Sequence, residues 1–212
     1  MFVYTHMLSL SQVITVQPES NLEHALDLMK EYGHDALPVV AEGVVVGLIS
    51  KQHIYKTYFF SSAESRTDFA RQTSVQELMK TDFRTILENE LLEKAILILT
   101  EIKMQFLTVV NSDGRLVGLL TKRKVLNAFA DSLGLGKKGL RIELAIDDLE
   151  GRLAALSKTI YSLKLNISSL TMTDSIVPNY KKILMHIDTE DQDKVIETIE
   201  DAGFRVLNAF LE

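Results

Sequence analysis

The spacing of apolar residues changes several times within the first quarter of the chain, and each change predicts a new element. A run of β-branched residues at 13–16 predicts a strand, and apolar residues at helical spacing over 22–32 predict an amphipathic helix. Apolar runs at 37–40 and 44–49 predict two more strands, after which a helix begins at Ser50. The predicted order is β-α-β-β-α.

Residues 83–129 repeat this order. Equivalent residues lie 70 positions apart at first (85 minus 15, 107 minus 37) and 71 apart after the turn at 111–114 (118 minus 47). Two copies of a true repeat often differ by one residue inserted in a turn, so the chain contains the same unit twice. The matched residues include Thr15 with Thr85, Leu22 with Leu92, Leu37 with Leu107, Gly47 with Gly118, and Ser50 with Thr121.

Each copy contains a glycine, two apolar residues, a hydroxyl residue and a lysine, at residues 47–51 and 118–122. Gly118 allows another group to approach the backbone closely, and Thr121 stands where it caps the following helix. The free N–H groups and the dipole at such a helix start favour a phosphate. In the second copy Lys122, Arg123 and Lys124 add three successive cations, so this stretch predicts an anion site.

The two copies are joined by residues 55–72, which we interpret as a helix end followed by an exposed loop at 61–66. Tyr58, Phe59 and Phe60 form an aromatic trio within this segment. Such a trio beside a helix is typical of packing or of a dimer surface, although it could also stack on a base. A short helix is predicted at 74–80.

The C-terminal part of the chain predicts a different unit. Helical spacing at 153–163 predicts one helix, and Thr189 is expected to cap a second. The buried face of the second helix is expected to consist of Val195, Ile196, Ile199 and Ala202. Alternating apolar residues predict four strands, at 142–146, 165–172, 183–187 and 206–211. β-α-β-β-α-β is the ferredoxin-like order.

Residues 133–139 contain Gly134, Gly136 and Gly139 and are predicted to form a linker. Their spacing spells G-x-G-x-x-G, but a dinucleotide-binding loop follows a strand and precedes a helix, the reverse of the order predicted here. The sequence therefore predicts a mixed α/β (α+β) chain of four segments. These are repeat 1 at 1–70, repeat 2 at 71–132, the linker at 133–139 and a ferredoxin-like domain at 140–212.

The charge and cysteine content of the chain exclude several classes of function. A net charge of -6 over 212 residues argues against duplex DNA or an anionic membrane as partner, since both need a broad basic surface. The absence of cysteine excludes disulfides and thiolate metal sites and fits a cytoplasmic protein. No apolar run approaches the ~20 residues of a membrane span.

Catalytic and metal-binding patterns are missing from the sequence. We therefore expect a protein that is not an enzyme and has no metal site or other cofactor. The five histidines lack metal-ligand spacing and are interpreted as surface or helix-end residues. They are His6, His24, His34, His53 and His186, of which only His53 lies in a repeated motif.

The repeated β-α-β-β-α unit with its Gly-x-x-Ser/Thr motif resembles the CBS domain pair, or Bateman module, over residues 1 to about 131. The resemblance implies a regulatory protein that binds an adenine nucleotide in the cleft between its two copies. Within this family, residues 21–26 and 120–126 are similar to bacterial cyclic-di-AMP-binding proteins of the CbpB and DarB type. That likeness implies cyclic di-AMP as ligand and a protein target bound in the ligand-free state, such as a stringent-response synthetase or a metabolic enzyme.

On this interpretation the second motif holds the phosphates, because it carries more cations than the first and the only guanidinium. The adenine would lie against apolar residues near the start of each repeat, for which core packing is the alternative role. The predicted nucleotide-binding residues are Val13, Ile14, Leu37, Pro38, Ser50, Lys51, Phe83, Thr121, Lys122, Arg123 and Lys124.

The chain departs from the family pattern three positions after the hydroxyl residue. Many nucleotide-binding CBS motifs carry Asp there, whereas this chain has His53 and Lys124. An Asp carboxylate accepts both hydroxyls of a free ribose diol, but a 3′,5′-cyclic dinucleotide lacks that diol and presents a phosphate, which favours a cation. The sequence thus favours cyclic di-AMP. An AMP or ATP sensor of the AcuB type and a regulatory scaffold without a nucleotide are the alternatives.

Residues 146–154 and 165–167 resemble an ACT domain, a small module that often binds amino acids. Ligand-binding members usually have Pro before the glycine that opens the helix, whereas Glu150 precedes Gly151 here. The resemblance leaves two roles open, binding an amino acid or dimerising through exposed edge strands. We expect the chain to form a homodimer.

Overall fold

The computed structural model describes residues 1–102 and 104–212. Their contacts divide the chain into two compact units, Met1–Leu126 and Asn127–Glu212. The division falls inside a helix, upstream of the predicted end of repeat 2 at residue 132. No helix within the described ranges is long and apolar enough to cross a membrane.

The N-terminal unit holds both copies of the repeat. Its strands are β1 (Leu8–Ser9), β2 (Ala36–Ala41), β3 (Val44–Ser50), β4 (Thr85–Leu87), β5 (Phe106–Val110) and β6 (Leu116–Thr121). Its helices are α1 (Leu22–Glu31), α2 (Lys51–Phe59), α3 (Arg66–Gln72), α4 (Val75–Leu78), α5 (Leu92–Glu101) and the start of α6 (Lys122–Ser132). Strands β2 and β3 form an antiparallel hairpin, and the other four strands form a sheet in the order β1-β6-β5-β4. The predicted order of elements is confirmed, except for the first strand of the first copy.

The strand predicted at residues 13–16 is only a single parallel bridge between Val16 and Val39. In the second copy, by contrast, β4 pairs in parallel with β5 over three residues, Thr85 to Leu87. Pro38 provides a physical reason, because it has no amide N–H to donate to a neighbouring strand. Its counterpart in β5 is Thr108 (108 minus 38 is 70), which has a free amide and joins the ladder.

The segment that precedes each copy pairs with the hairpin of the other copy. Leu8 and Ser9 of β1 pair with β6 of the second copy, so the first residues of the predicted repeat 1 belong to the sheet of repeat 2. Lys80 forms the corresponding bridge with Leu48 of β3. The glycine of each motif makes this approach possible, since a Cβ on Gly118 would overlap the carbonyl oxygen of Leu8.

The helix predicted at 74–80 is shorter than expected, because α4 ends at Leu78 and Lys80 lies in the bridge to β3. Helix α3 was not predicted at all. Its Phe69 packs against the core of the first copy and lies 5.5 Å from the ring of Tyr58. Phe59 and Phe60 of the predicted aromatic trio remain largely exposed.

Two apolar clusters join the two copies. In the first, Val45 packs with Val110 and Leu116; in the second, Leu48 packs with Phe106 and Leu119. Val13 and Phe83 pack against both clusters and are themselves only partly buried. The inner faces of β3, β5 and β6 therefore meet along a continuous apolar seam that Val13 and Phe83 span.

The C-terminal unit has the predicted ferredoxin-like fold. Its elements are β7 (Leu140–Asp147), α7 (Arg152–Ser162), β8 (Ile167–Asp174), β9 (Tyr180–Ile187), α8 (Gln192–Asp201) and β10 (Arg205–Leu211). The strands form one antiparallel sheet in the order β10-β7-β9-β8. The alternating apolar residues of β7 and β9 pack with Leu156, Ile160, Val195 and Ile199 of the two helices.

The end residues of α8 differ from the prediction. Asp191, not Thr189, is the N-cap, since its Oδ1 accepts a hydrogen bond from Lys194 N at 3.3 Å. Thr189 Oγ1 instead accepts from Asp191 N at 3.1 Å, so it orders the turn before the helix. Ala202 is exposed at the C-cap, because the helix ends there.

Residues 133–139 do not form a free linker but pack on the sheet of the C-terminal unit. Ser169 Oγ donates to the carbonyl oxygen of Leu133 at 3.1 Å, and His186 Nε2 lies 3.0 Å from the carbonyl oxygen of Lys137. His186 is 1% exposed, and its Nδ1 lies 2.7 Å from Ser168 Oγ. The interpretation of His186 as a surface or helix-end residue is therefore wrong.

Candidate functional site

Both repeated motifs place a hydroxyl residue at the start of a helix, as predicted. Ser50 Oγ accepts a hydrogen bond from His53 N at 3.3 Å, and Thr121 Oγ1 accepts one from Lys124 N at 3.2 Å. Each hydroxyl satisfies one of the free N–H groups of its helix. The remaining free N–H groups and the positive end of the helix dipole give each motif an anion-attracting surface.

The first lysine of each motif is held by the same backbone contact. Lys51 N donates to the carbonyl oxygen of Asp35 and Lys122 N donates to that of Gln105, in both cases at 2.9 Å. The two side chains differ, because Lys51 Nζ pairs with Asp35 Oδ1 at 3.2 Å. Lys122 Nζ instead lies 3.5 Å from the carbonyl oxygen of Ile102. The charge of Lys51 is thus partly neutralised, whereas Lys122 pairs with no carboxylate of residues 1–102 and 104–212.

Arg123 and Lys124 are exposed at the start of α6. Within the part of the chain that the structure describes, neither side chain forms an ion pair with a carboxylate. The second motif therefore presents two uncompensated cations beside free helix N–H groups, which is a suitable surface for a phosphate.

The first motif has its own positive surroundings. His53 is partly buried, and this burial lowers the pKa of its imidazole below the ordinary value of 6.5. The charges of Lys80 and Lys56 lower that pKa further. His53 is therefore neutral at pH 7, and an anion bound beside it would raise its pKa again.

The predicted apolar site residues lie in different surroundings. Leu37 is 1% exposed in the core of the first copy, with Ile14 packed against the same core. Pro38 is also buried, whereas Val13 and Phe83 lie on the seam between the copies. Val13 and Phe83 are thus the predicted residues best placed for a flat base between the two copies.

Sequence reasoning missed two polar residues of the N-terminal unit, Asp35 beside the first motif and the buried Thr108. The sequence could have pointed to Asp35, because the repeat aligns it with the neutral Gln105 (105 minus 35 is 70), just before the equivalent strand. Thr108 lies within an apolar strand and carries no pattern of its own. Its burial is known only from the fold.

A groove of about 460 Å³ lies elsewhere in the N-terminal unit, along the β2–β3 turn. Glu19 and Glu42 are among its lining residues, so its charge disfavours a phosphate. Among the described residues there is no group of three or more His, Cys, Asp or Glu side chains that could hold a metal ion. The two helix starts remain the candidate site.

Comparison with known proteins identifies the family. Two segments, residues 7–59 and 75–131, match the CBS domain. They cover more than half of the chain, which therefore belongs to the CBS domain family and carries two copies of the domain. The CBS domain-containing protein YhcV of Bacillus subtilis is 31% identical over 110 residues, 52% of this chain and 74% of YhcV.

Inosine-5'-monophosphate dehydrogenase of Korarchaeum cryptofilum is 32% identical over 115 residues. The match covers 53% of this chain but only 21% of the dehydrogenase, so the chain spans about a fifth of that enzyme. The similarity is thus confined to one segment of the dehydrogenase.

Two solved structures with similar folds contain adenine nucleotides. CbpB of Listeria monocytogenes, in complex with cyclic di-AMP, is 28% identical with a TM-score of 0.54, covering 62% of this chain and 97% of CbpB. CBSX2 in complex with AMP is 27% identical with a TM-score of 0.53, covering 61% of this chain and 96% of CBSX2.

Proposed function

We propose that this protein is a non-enzymatic regulatory sensor that binds cyclic di-AMP between its two CBS copies and acts through protein partners. The observation that carries the proposal is the pair of exposed cations, Arg123 and Lys124, at the capped start of α6. The cyclic-di-AMP complex of the 28% identical CbpB supports the same ligand class.

The distribution of charge favours the second motif as the principal phosphate site. Arg123 offers a planar fork of N–H donors that matches two phosphate oxygens, and within the described part of the chain Lys122 pairs with no carboxylate as Lys51 does with Asp35. The first motif, with the partly neutralised Lys51 and with Lys80 and Lys56 near the neutral His53, provides a second and weaker positive surface. Two positive surfaces suit a ligand with two phosphates.

The residue at position 124 favours a cyclic over a linear nucleotide. A free ribose diol has two hydroxyl donors, and the Lys124 ammonium cannot accept either of them. In a 3′,5′-cyclic dinucleotide the 3′ hydroxyl is esterified, and the phosphodiester oxygens there accept hydrogen bonds from the Lys124 ammonium and from an imidazole N–H of His53.

AMP is the second candidate ligand, because CBSX2, at 27% identity, has a similar fold and is in complex with AMP. The chain would then be an adenylate sensor of the AcuB type, able to take ATP at the same site. A third candidate is a regulatory scaffold without a nucleotide, for which the exposed Phe59 and Phe60 offer an apolar contact surface.

Isothermal titration calorimetry of the whole chain with cyclic di-AMP, AMP and ATP separates these candidates. The proposal predicts that cyclic di-AMP binds more tightly than AMP or ATP. Equal or tighter binding of AMP, without competition by cyclic di-AMP, would show an adenylate sensor. Binding of none of the three would contradict both sensors and leave the scaffold.

We further propose that the C-terminal unit acts as an ACT domain that dimerises the chain or binds an amino acid. Its ferredoxin-like sheet leaves β8 and β10 as edge strands, which can pair with another chain. Light scattering with and without added amino acids tests this role. A monomer that is unaffected by every amino acid would contradict it.

A further inference from the structure

The hydroxyl of Thr108 is a buried polar group without a partner. Thr108 is 1% exposed, and its Oγ1 accepts and donates no hydrogen bond among the described residues. The other such atom is Arg152 Nε, which nevertheless lies 3.1 Å from the carboxylate of Asp147. Thr108 has no comparable compensation, and an unpaired buried hydroxyl destabilises a fold.

The fold does not require a hydroxyl at this position. The first copy has Pro38 at the equivalent place in β2 and builds the same hairpin with a residue that has no polar side chain. Val39 and Val109, the next residues, are both fully buried, so this part of the core is shared by the two copies. The hydroxyl of Thr108 is therefore a feature of the second copy that its packing leaves unexplained.

The hydroxyl lies on the seam between the two copies. Side chains alternate along a strand, so Thr108 faces the same side of β5 as Phe106 and Val110. Phe106 and Val110 belong to the two clusters that join the copies, and Val13 and Phe83 pack against both clusters. Thr108 is thus on the side of β5 whose neighbouring residues, Phe106 and Val110, belong to the clusters against which Val13 and Phe83 pack.

We propose that Thr108 Oγ1 hydrogen-bonds the edge of the purine base and so contributes to base specificity. This inference rests on the proposed nucleotide-binding function. A hydroxyl both donates and accepts, and adenine presents ring nitrogens that accept and an exocyclic amine that donates. A base that enters between the partly exposed Val13 and Phe83 gains their apolar contact and supplies the partner that the hydroxyl lacks.

Thr108→Val tests the inference because its two expected effects have opposite signs. Valine keeps the branched shape but removes the unpaired hydroxyl, so the ligand-free protein should melt at the same or a higher temperature. Cyclic di-AMP should bind about three- to tenfold more weakly, the loss expected for one neutral hydrogen bond. Thr108→Ser keeps a hydroxyl and should retain more of the affinity than either Thr108→Val or Thr108→Ala.

Each other result overturns the inference. If the parent binds cyclic di-AMP and Thr108→Val binds it equally well, the hydroxyl serves a buried water and not the base. If Thr108→Ser loses as much affinity as Thr108→Val, packing and not the hydroxyl is responsible. Should Thr108→Val fail to fold, Thr108→Ala against Thr108→Ser gives the same comparison. If the parent protein binds no adenine nucleotide, the proposed function itself is wrong. That result is distinguishable from equal binding by Thr108→Val and from loss of binding in Thr108→Ser.

Discussion

Lys51 Nζ forms an ion pair with Asp35 Oδ1 at 3.2 Å, and among the residues that the structure describes Lys122 of the second copy forms no equivalent pair. The residue that corresponds to Asp35 is the neutral Gln105, whose carbonyl oxygen accepts a hydrogen bond from Lys122 N. The same helix start is therefore present twice, with Lys51 paired to a carboxylate and Lys122 beside the neutral Gln105. This difference gives the two motifs unequal attraction for an anion.

Asp35→Asn should make the first motif a better phosphate site. The change releases the Lys51 ammonium from its carboxylate, and an exposed ion pair of this kind is worth little, so affinity for cyclic di-AMP should rise by only about two- to fivefold. Calorimetry at low and at physiological salt measures the effect, which should shrink as salt screens the charges. Asp27→Asn, on α1, removes the same charge outside both motifs and is the control. An equal gain in both variants would indicate a general effect of net charge.

Arg123→Ala should weaken binding far more than Lys51→Ala. Arg123 is an exposed guanidinium in the second motif, and hydrogen bonds to charged groups are worth about 1.5–3 kcal/mol, so affinity for cyclic di-AMP should fall by roughly ten- to a hundredfold. Lys51 already pairs with Asp35, so its loss should cost less. Calorimetry on both variants, with thermal melting to confirm folding, gives the comparison.

Lys30→Ala, in the last turn of α1, is the matched control for the loss of one exposed cation. It should bind like the parent. The opposite ordering, with Lys51→Ala impaired and Arg123→Ala unaffected, would place the phosphates at the first motif.

The elements with long, regular apolar spacing could be predicted from the sequence, whereas short or polar ones could not. Both repeats and the ferredoxin-like order were readable because each strand and helix buries one face. Helix α3 was missed because it spans only seven residues, Arg66–Gln72, and buries mainly Ala70 and Phe69. The strand predicted at 13–16 is reduced to a single bridge because Pro38, in the neighbouring strand β2, has no amide N–H to donate.

At the candidate site, the sequence predicted the capped helix starts but not the partners of their side chains. Ser50 and Thr121 cap their helices because local spacing determines that contact. The Lys51–Asp35 pair spans 16 residues, and the unpaired hydroxyl of Thr108 is defined by packing between the two copies. Such contacts depend on how strands are arranged, which spacing along the chain does not show.

His53 should make folding stability depend on pH. Burial and then Lys80 and Lys56 hold the pKa of His53 below its ordinary value of 6.5, so the folded state binds fewer protons than the unfolded state. The contribution of the neutral imidazole is complete above pH 6.5 and is lost as the pH falls toward the depressed pKa. The melting temperature of the parent should therefore fall relative to that of His53→Asn between pH 7.5 and 5.5. His24→Asn, at an exposed helix position, is the control for the loss of one histidine.

The same residue should make ligand binding depend on pH in the opposite direction. A phosphate at the first motif would raise the pKa of His53, so binding would take up a proton and become tighter as the pH falls. The gain stays below about tenfold per pH unit, the limit for one proton. Calorimetry in buffers of different ionisation enthalpy measures the proton uptake. Absence of uptake in the parent, or equal uptake in His53→Asn, would show that no phosphate lies beside His53.

A fragment of residues 1–132 should fold alone and bind cyclic di-AMP as the whole chain does. Met1–Leu126 is a compact unit with its own buried core, including Leu22, Met29 and Ile49, and all predicted nucleotide-binding residues lie at or before Lys124. The fragment ends where α6 ends, so the whole helix is present and Thr121 Oγ1 still accepts the hydrogen bond from Lys124 N.

A fragment of residues 1–126 is the informative comparison, because it reduces α6 to little more than its first turn, too short to remain helical. Circular dichroism and calorimetry should show the longer fragment folded with the parent's affinity, and the shorter one folded but with weaker binding. A folded 1–132 fragment that binds no nucleotide would show that binding depends on the C-terminal unit, and equal affinity in both fragments would show that the helix start of α6 does not hold the phosphates.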